Sequence, residues 1–139
     1  VAVGDVWNGE QFAPFDPLPG IKAARIAALR ESCQAAIYAG FESDALGSAH
    51  LYPALDKDQA NLSASVLASL LPGLPADWTT PFWCAVGGTW AFWPHTAAQI
   101  QKVGTDAKAA ILAQMAKNAT LAAQVEAATT VAQVNEVQW

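Results

Sequence analysis

Charged side chains are nearly absent from the middle of this chain: between Leu62 and Gln101, Asp77 is the only Asp, Glu, Lys or Arg. A solvated surface segment normally carries many more charges, so this segment is predicted to be core, partner interface or ligand-binding face. No residue pattern near it is typical of catalytic apparatus. The low charge therefore favours a packing and interaction module over an enzyme.

Basic residues and long apolar runs are also scarce. Seven Lys and Arg stand against twelve Asp and Glu, and the net charge is -5. This balance argues against nucleic acid or an anionic membrane as the main partner. No apolar run approaches the ~18 residues of a membrane span, and no signal peptide is visible. We expect no membrane insertion. The first residue is Val1 rather than Met, which favours preceding residues that belong to a larger protein.

Residues that hold metals or carry acid-base chemistry are few and unorganised. His50, His95 and Cys84 are candidate metal ligands, but no Cys-x-x-Cys or His-x-x-x-His spacing organises them. Asp56, Asp58 and His95 can be written as an acid-base set. They are better explained as a helix cap, a first-turn carboxylate and a loop histidine before Thr96. We therefore expect no catalytic, cofactor-binding or metal-binding residues, and no enzyme.

The two cysteines, Cys33 and Cys84, are predicted to lie in different elements. We favour the interpretation that both thiols are free and buried, although the sequence alone does not exclude a disulfide.

The 139 residues suit one domain with at most a small appendage. We predict an N-terminal hairpin around Asn8-Gly9 and a proline-rich linker over residues 1–20, followed by an α+β domain over 21–139. This domain should contain three helical regions and two or three β-hairpins, without a βαβ rhythm. The expected helices cover 21–39, 56–71 and 96–128, with a last short helix ending at Trp139. The hairpins are expected around Gly47 and around Gly87-Gly88.

Four of the six tryptophans lie in the low-charge segment and form the candidate interface: Trp78, Trp83, Trp90 and Trp93. Strand alternation around Gly87-Gly88 places Phe82, Cys84 and Val86 on one face and Trp83 and Ala85 on the other. Since both faces carry aromatic rings, one face is expected to pack on the helices. Three alternatives stay open for the other face: burial within the chain, a protein interface, or stacking of a sugar ring on Trp.

The order of features also resembles a known family. A helix leads into Gly40-Phe41 and a short hairpin, and residues 58–62 (Asp-Gln-Ala-Asn-Leu) open a second helix. A Trp-bearing hairpin follows, then Pro94-His95-Thr96-Ala97 opens a long alanine-rich helix, and a short helix ends at Trp139. This order resembles the domain of unknown function found near the C-termini of tailed-bacteriophage tail proteins, including tail-fibre-associated ones.

The resemblance covers residues 21–139 and implies a structural role. It implies a module of a phage tail, fibre or baseplate associated, that docks to other phage tail proteins and is located in the virion after synthesis in the host cytoplasm. A tail-fibre assembly helper absent from the mature particle and a receptor- or glycan-binding tip are the alternatives. A homo-oligomer and a host surface glycan stay open as partners. The family has no established catalytic residues to carry over, and its Gln-x-Asn element, here Gln59 and Asn61, is expected to be structural.

Overall fold

The computed structural model describes residues 14–139 in full and the backbone of two short strands before them. Strand β1 (Val6–Trp7) pairs antiparallel with β2 (Phe12–Ala13), with Trp7 opposite Phe12. The strand pairing of the predicted N-terminal hairpin is therefore present. The Asn8-Gly9 turn that was expected to connect its strands lies outside the described residues.

The first helix begins earlier than predicted. Helix α1 spans Leu18–Tyr38, so Pro19 and Gly20 belong to its first turn and not to a linker. Proline is tolerated there because the first N–H groups of a helix have no partner within the helix. The backbone N–H of Leu18 donates to Asp16 Oδ1 at 3.0 Å. The division of the chain at residue 20 stays a prediction.

One four-stranded antiparallel sheet follows, in the strand order β3-β4-β5-β6. The two predicted hairpins are present, with turns that contain Gly47 and Gly87-Gly88. The strands of the second hairpin were expected over residues 82–86 and 89–93, and each extends three residues further at its outer end. The strands are β3 (Phe41–Ser43), β4 (His50–Tyr52), β5 (Thr79–Val86) and β6 (Thr89–Thr96).

Three further helices complete the fold: α2 (Asp56–Ser69), α3 (Ala97–Ala127) and α4 (Val131–Glu136). The spacing of Thr96 and Gln99 predicts a capping box at the start of α3. It is confirmed, because Thr96 N–H donates to Gln99 Oε1 and Gln99 N–H donates to Thr96 Oγ1. Asp56 is not the cap of α2. Leu55 holds that position, and its N–H donates to Asp58 Oδ2 at 3.0 Å.

The chain forms two compact units, Ser32–Lys117 and the combination of Val1–Glu31 with Asn118–Trp139. In the second of these, apolar residues from α1, α3 and α4 form a small core around Leu29, Val125 and Val134. In the unit Ser32–Lys117, the sheet packs on helical residues. The core between them includes Tyr52 and Phe82 of the sheet and Ile100 and Val103 of α3, each 0 or 1% exposed. The α+β class is thus confirmed, with four helices among the described residues.

Candidate functional site: an exposed aromatic face

The β5–β6 hairpin owes its shape to its turn and to its composition. Gly87 and Gly88 have φ of +56° and +80°, which a two-residue type I′ turn requires and which side chains other than glycine rarely adopt. The strands on either side are rich in β-branched and aromatic residues and contain no charged residue. As predicted, Phe82 and Cys84 lie on one face of β5 and Trp83 lies on the other. The structure buries Phe82 and Cys84 and exposes Trp83.

Three rings on the outward side of this hairpin form a single cluster, which we call the aromatic face: Trp83, Trp90 and Phe92. Trp83 and Phe92 are directly opposite in the register, and their ring centroids lie 4.9 Å apart at 61°. Trp83 and Trp90 are nearly parallel, at 16°, with centroids 6.2 Å apart. The exposed fractions are 41% for Trp83, 39% for Trp90 and 67% for Phe92. The rings therefore pack on each other and still present apolar surface to solvent.

Beyond the buried Ala85, the row beside these rings reaches the apolar Leu51 on β4. Ala85 lies opposite Trp90 on one side and Leu51 on the other, and Leu51 is itself exposed. Glu42, opposite Leu51 on β3, is exposed at the end of this row. The aromatic face is thus an apolar patch with a carboxylate at one margin, the composition expected of an interaction surface with a polar rim.

The structure separates the four tryptophans of the predicted interface. Trp83 and Trp90 lie together, whereas Trp78 is partly buried against the core of the Ser32–Lys117 unit. Trp93 lies on the opposite side of the hairpin from Trp83, with its ring edge-on to His50 at 5.9 Å. Phe92 was absent from the predicted set although it is the most exposed ring of the cluster. Its alternation with Ala91 and Trp93 was the signal that identified its face.

A second apolar surface lies between α2 and α3, and the sequence did not predict it as a groove. The groove has a volume of about 830 Å³. Its apolar lining includes Leu62, Val66, Leu67, Leu70, Ile111 and Leu112. Gly104 of α3 lies so close to α2 that a Cβ added there would come within 2.8 Å of Val66 Cγ2. Along this side of α2, Leu62 is buried and Val66 is half-buried, whereas Leu70, just after the helix, is exposed.

The residues with acid-base potential form no common site. His95 lies in strand β6, not in the predicted loop, and it is completely buried. The distance from its Nε2 to the hydroxyl of Tyr52 is 2.8 Å, and its Nδ1 lies 2.7 Å from the carbonyl oxygen of Trp93. A carbonyl only accepts, so Nδ1 carries the proton and Nε2 accepts from Tyr52. Burial lowers the pKa of His95, and the imidazole is held neutral.

Burial also raises the pKa values of Tyr52 and of the neighbouring Cys84 thiol, which keeps both groups protonated. Asp56 accepts from the hydroxyl of Tyr38 at 2.8 Å, and Asp58 accepts from the backbone at the start of α2. None of the hydrogen bonds formed by Asp56, Asp58 and His95 joins one of these three residues to another. Each carboxylate has a local structural role.

Other predicted roles can be checked against single contacts. Cys33 and Cys84 are free and buried, as expected. Gln59 Nε2 donates to the carbonyl oxygen of Ala54 at 2.8 Å, a contact that fixes the approach to α2. Over the described part of the chain, no three His, Cys, Asp or Glu side chains are grouped to hold a metal ion. Nor does any described helix combine the length and apolar character needed to cross a membrane.

The fold is a small α+β domain with an exposed aromatic face, and the family comparison agrees with the range predicted for it. The family described as Domain of unknown function (DUF4376) matches residues 20–138. The chain therefore belongs to the DUF4376 family. The curated proteins and the solved structures contain no significant match to it.

Proposed function

We propose that this domain is a non-catalytic docking module of a bacteriophage tail that binds another tail protein through the aromatic face. The observation that carries the docking role is the cluster of Trp83, Trp90 and Phe92, whose rings are exposed on a sheet face without a charged residue in either strand. The placement in a phage tail rests on the resemblance in the order of sequence features.

The aromatic face has the properties of a binding hot spot. Tryptophan buries a large area at a small cost in side-chain entropy, and it is enriched among residues that dominate binding energy. The packing of Trp83 against Trp90 and Phe92 restricts the rings before a partner arrives. Less ordering is then required on binding, which favours affinity.

The same rings also present flat surfaces to which a sugar can stack, so glycan binding is the second candidate function. The near-parallel orientation of Trp83 and Trp90 favours it specifically. A host surface polysaccharide that binds saturably to the chain, and no longer binds to Trp90→Ala, would support a receptor-binding tip. A buried protein interface favours strands without charged residues, whereas the stacking of a sugar on Trp does not require them.

The decisive experiment is quantitative mass spectrometry of purified phage particles from the source system, with the peptides of this chain set against a known tail protein. A fixed stoichiometry supports a virion component, and the copy number indicates fibre, baseplate or tube. Abundance in infected lysate together with absence from particles would instead favour the assembly-helper alternative.

The docking surface itself is tested by repeating the measurement with two single variants. Trp90→Ala removes part of the aromatic face, and Leu67→Ala removes a side chain from the helical groove that is more exposed than Trp90, at 65% against 39%. We expect Trp90→Ala to reduce the incorporated copies at least tenfold and Leu67→Ala to leave them near the wild-type level. The reverse result would move docking to the groove. Both variants are first compared with the wild type in thermal unfolding, so that loss of fold is not taken for loss of docking.

A further inference from the structure

Strand β6 forms one edge of the four-stranded sheet and has β5 as its only strand neighbour among the described residues. Edge strands offer unpaired N–H and C=O groups to other chains, and proteins usually guard them with lysine, charge or proline. In β6 no residue is charged, and the only such guard is Pro94, near its end. Most of its side chains before His95 are also exposed.

The two prolines of the hairpin reveal which backbone groups of β6 point outward. Pro81 lies directly opposite Pro94, and neither has an N–H, so this pair does not exchange hydrogen bonds. Antiparallel pairs alternate between hydrogen-bonded and non-hydrogen-bonded. The pairs Trp83–Phe92 and Ala85–Trp90 are therefore also non-hydrogen-bonded. On β6, the N–H and C=O groups of Trp90 and Phe92 are directed away from β5.

We infer that β6 pairs with β6 of a second copy of this chain, antiparallel about a two-fold axis at Ala91. In this register Trp90 lies opposite the partner copy's Phe92, and each pair exchanges two backbone hydrogen bonds. Both outward N–H groups of each strand are then satisfied. Registers centred on Phe92 would place Trp90 opposite Pro94, which has no N–H to donate.

The side chains fit this pairing as well as the backbone does. Ala91, at the axis, lies opposite Ala91 of the second copy, so two small methyl groups meet there. Trp90 and Phe92 are on the outward side, where cross-strand aromatic pairs stabilise a sheet. Although each chain has a net charge of -5, the paired strands bring no like charges together. The two outward N–H groups lie symmetrically on either side of Ala91, and no charge in the strand opposes self-pairing, so a second copy of β6 fits this edge.

This dimer would have one continuous sheet in which the two aromatic faces adjoin. The inference goes beyond the proposed docking role and stands without it, since the isolated chain is enough to test it. Failure to dimerise would leave the docking proposal untouched, and failure to enter phage particles would leave the dimer untouched.

The first test compares two substitutions at one outward position, using the full chain in sedimentation analysis over a range of concentrations. Phe92→Ala removes the ring and keeps the N–H, whereas Phe92→Pro also removes the N–H. Proline already occupies the equivalent outward position at Pro94. Two inter-chain hydrogen bonds per dimer are lost in Phe92→Pro, so its dimer should dissociate about thirtyfold more readily than that of Phe92→Ala.

The second test locates the axis with an engineered disulfide. In the non-hydrogen-bonded pair at the axis, the two Cα atoms of residue 91 should be about 4.5 Å apart, within the range of a disulfide. Ala91→Cys, made together with Cys84→Ala because Cys84 lies opposite residue 91 in the hairpin, should form a covalent dimer on mild oxidation. Thr89→Cys in the same background should not, since in this register residue 89 lies opposite the partner copy's Trp93 and not opposite a second cysteine.

A wild-type chain that stays monomeric at all concentrations would overturn the inference. A dimer that Phe92→Pro and Phe92→Ala weaken equally would also overturn it, because pairing would then not use the β6 backbone. A covalent dimer of Thr89→Cys without one of Ala91→Cys would refute the proposed axis.

Discussion

Phe82 and Phe92 belong to the same hairpin and are the least and the most exposed of its phenylalanine and tryptophan rings. Phe82 is 1% exposed and contacts the core, while Phe92 is 67% exposed and packs only on its own face. Their strands are adjacent, and Phe92 lies opposite Trp83, the residue that follows Phe82. One position along a strand thus decides whether an aromatic ring stabilises the fold or remains available for a partner.

The exposures of Phe82 and Phe92 show that composition alone does not assign the role of an aromatic segment. Side chains alternate across a strand, so an unbroken run of apolar residues must place apolar side chains on both faces. In a sheet covered on one side by helices, only one of these faces is satisfied by the core. We propose that a partner covers the other face, and this division between core and docking surface can be tested.

The largest effect is expected from Phe82→Ala. Truncation of a fully buried phenylalanine removes its packing and leaves a cavity, which costs about 3–5 kcal/mol. The free energy of unfolding, measured by urea denaturation, should fall by this amount. A loss below about 1 kcal/mol would show that this face is not the core side of the hairpin.

The next effect concerns the buried polar pair behind that face. In Tyr52→Phe the hydroxyl that donates to His95 Nε2 is lost, and a buried acceptor remains without a donor. This costs about 1–3 kcal/mol of folding free energy. The measurement is again denaturation, and Phe41, which stacks on Tyr52 at 5.5 Å, should retain its packing in the variant. An unchanged stability would mean that His95 finds another donor.

The sequence predicted the elements of this fold well because each has a local signal. Helix α3 begins at a capping box of Thr96 and Gln99, and the hairpins form around glycines with positive φ. The start of α1 was misplaced because proline can either end a linker or occupy a first helical turn. Local signals at that point fit both structures.

The site was only partly predictable. Alternation separated Trp83 from Phe82, but it could not show which of the two faces is exposed. Nor could it show that Trp93 packs on His50 or that Trp78 joins the core. Those contacts join residues far apart in the chain. The groove between α2 and α3 depends on the close approach of Gly104 to Val66, which no periodicity within one helix reveals. His95 was placed in a loop because Pro94 hides the continuation of an edge strand.

A smaller effect should appear on acidification. Burial first, and then the nearby His50, lower the pKa of His95, while the Trp93 carbonyl opposes them. The unfolded chain protonates this histidine near its ordinary pKa of about 6.5, but the folded chain does not. The unfolded state then binds more protons, so His95 makes stability fall as pH drops below about 6.5, by at most about 1.4 kcal/mol per pH unit. A His95→Gln variant should show a flatter slope from pH 7.5 down to its acid transition, and an equal slope in both proteins would contradict the neutral, buried imidazole.

The smallest effect on folding is expected from Phe92→Ala, the same substitution as in Phe82→Ala on the opposite face. The ring loses its contact with Trp83 but gives up little buried area, so the cost should be about 1 kcal/mol. Because the chemical change is identical at both positions, the ratio of the two losses in urea denaturation measures burial alone.

Incorporation into phage particles should show the reverse order: Phe92→Ala should lower it in chains that remain folded. A loss of 3 kcal/mol or more from Phe92→Ala would mean that this ring is covered within the folded chain, and the aromatic face would then be core rather than a docking surface.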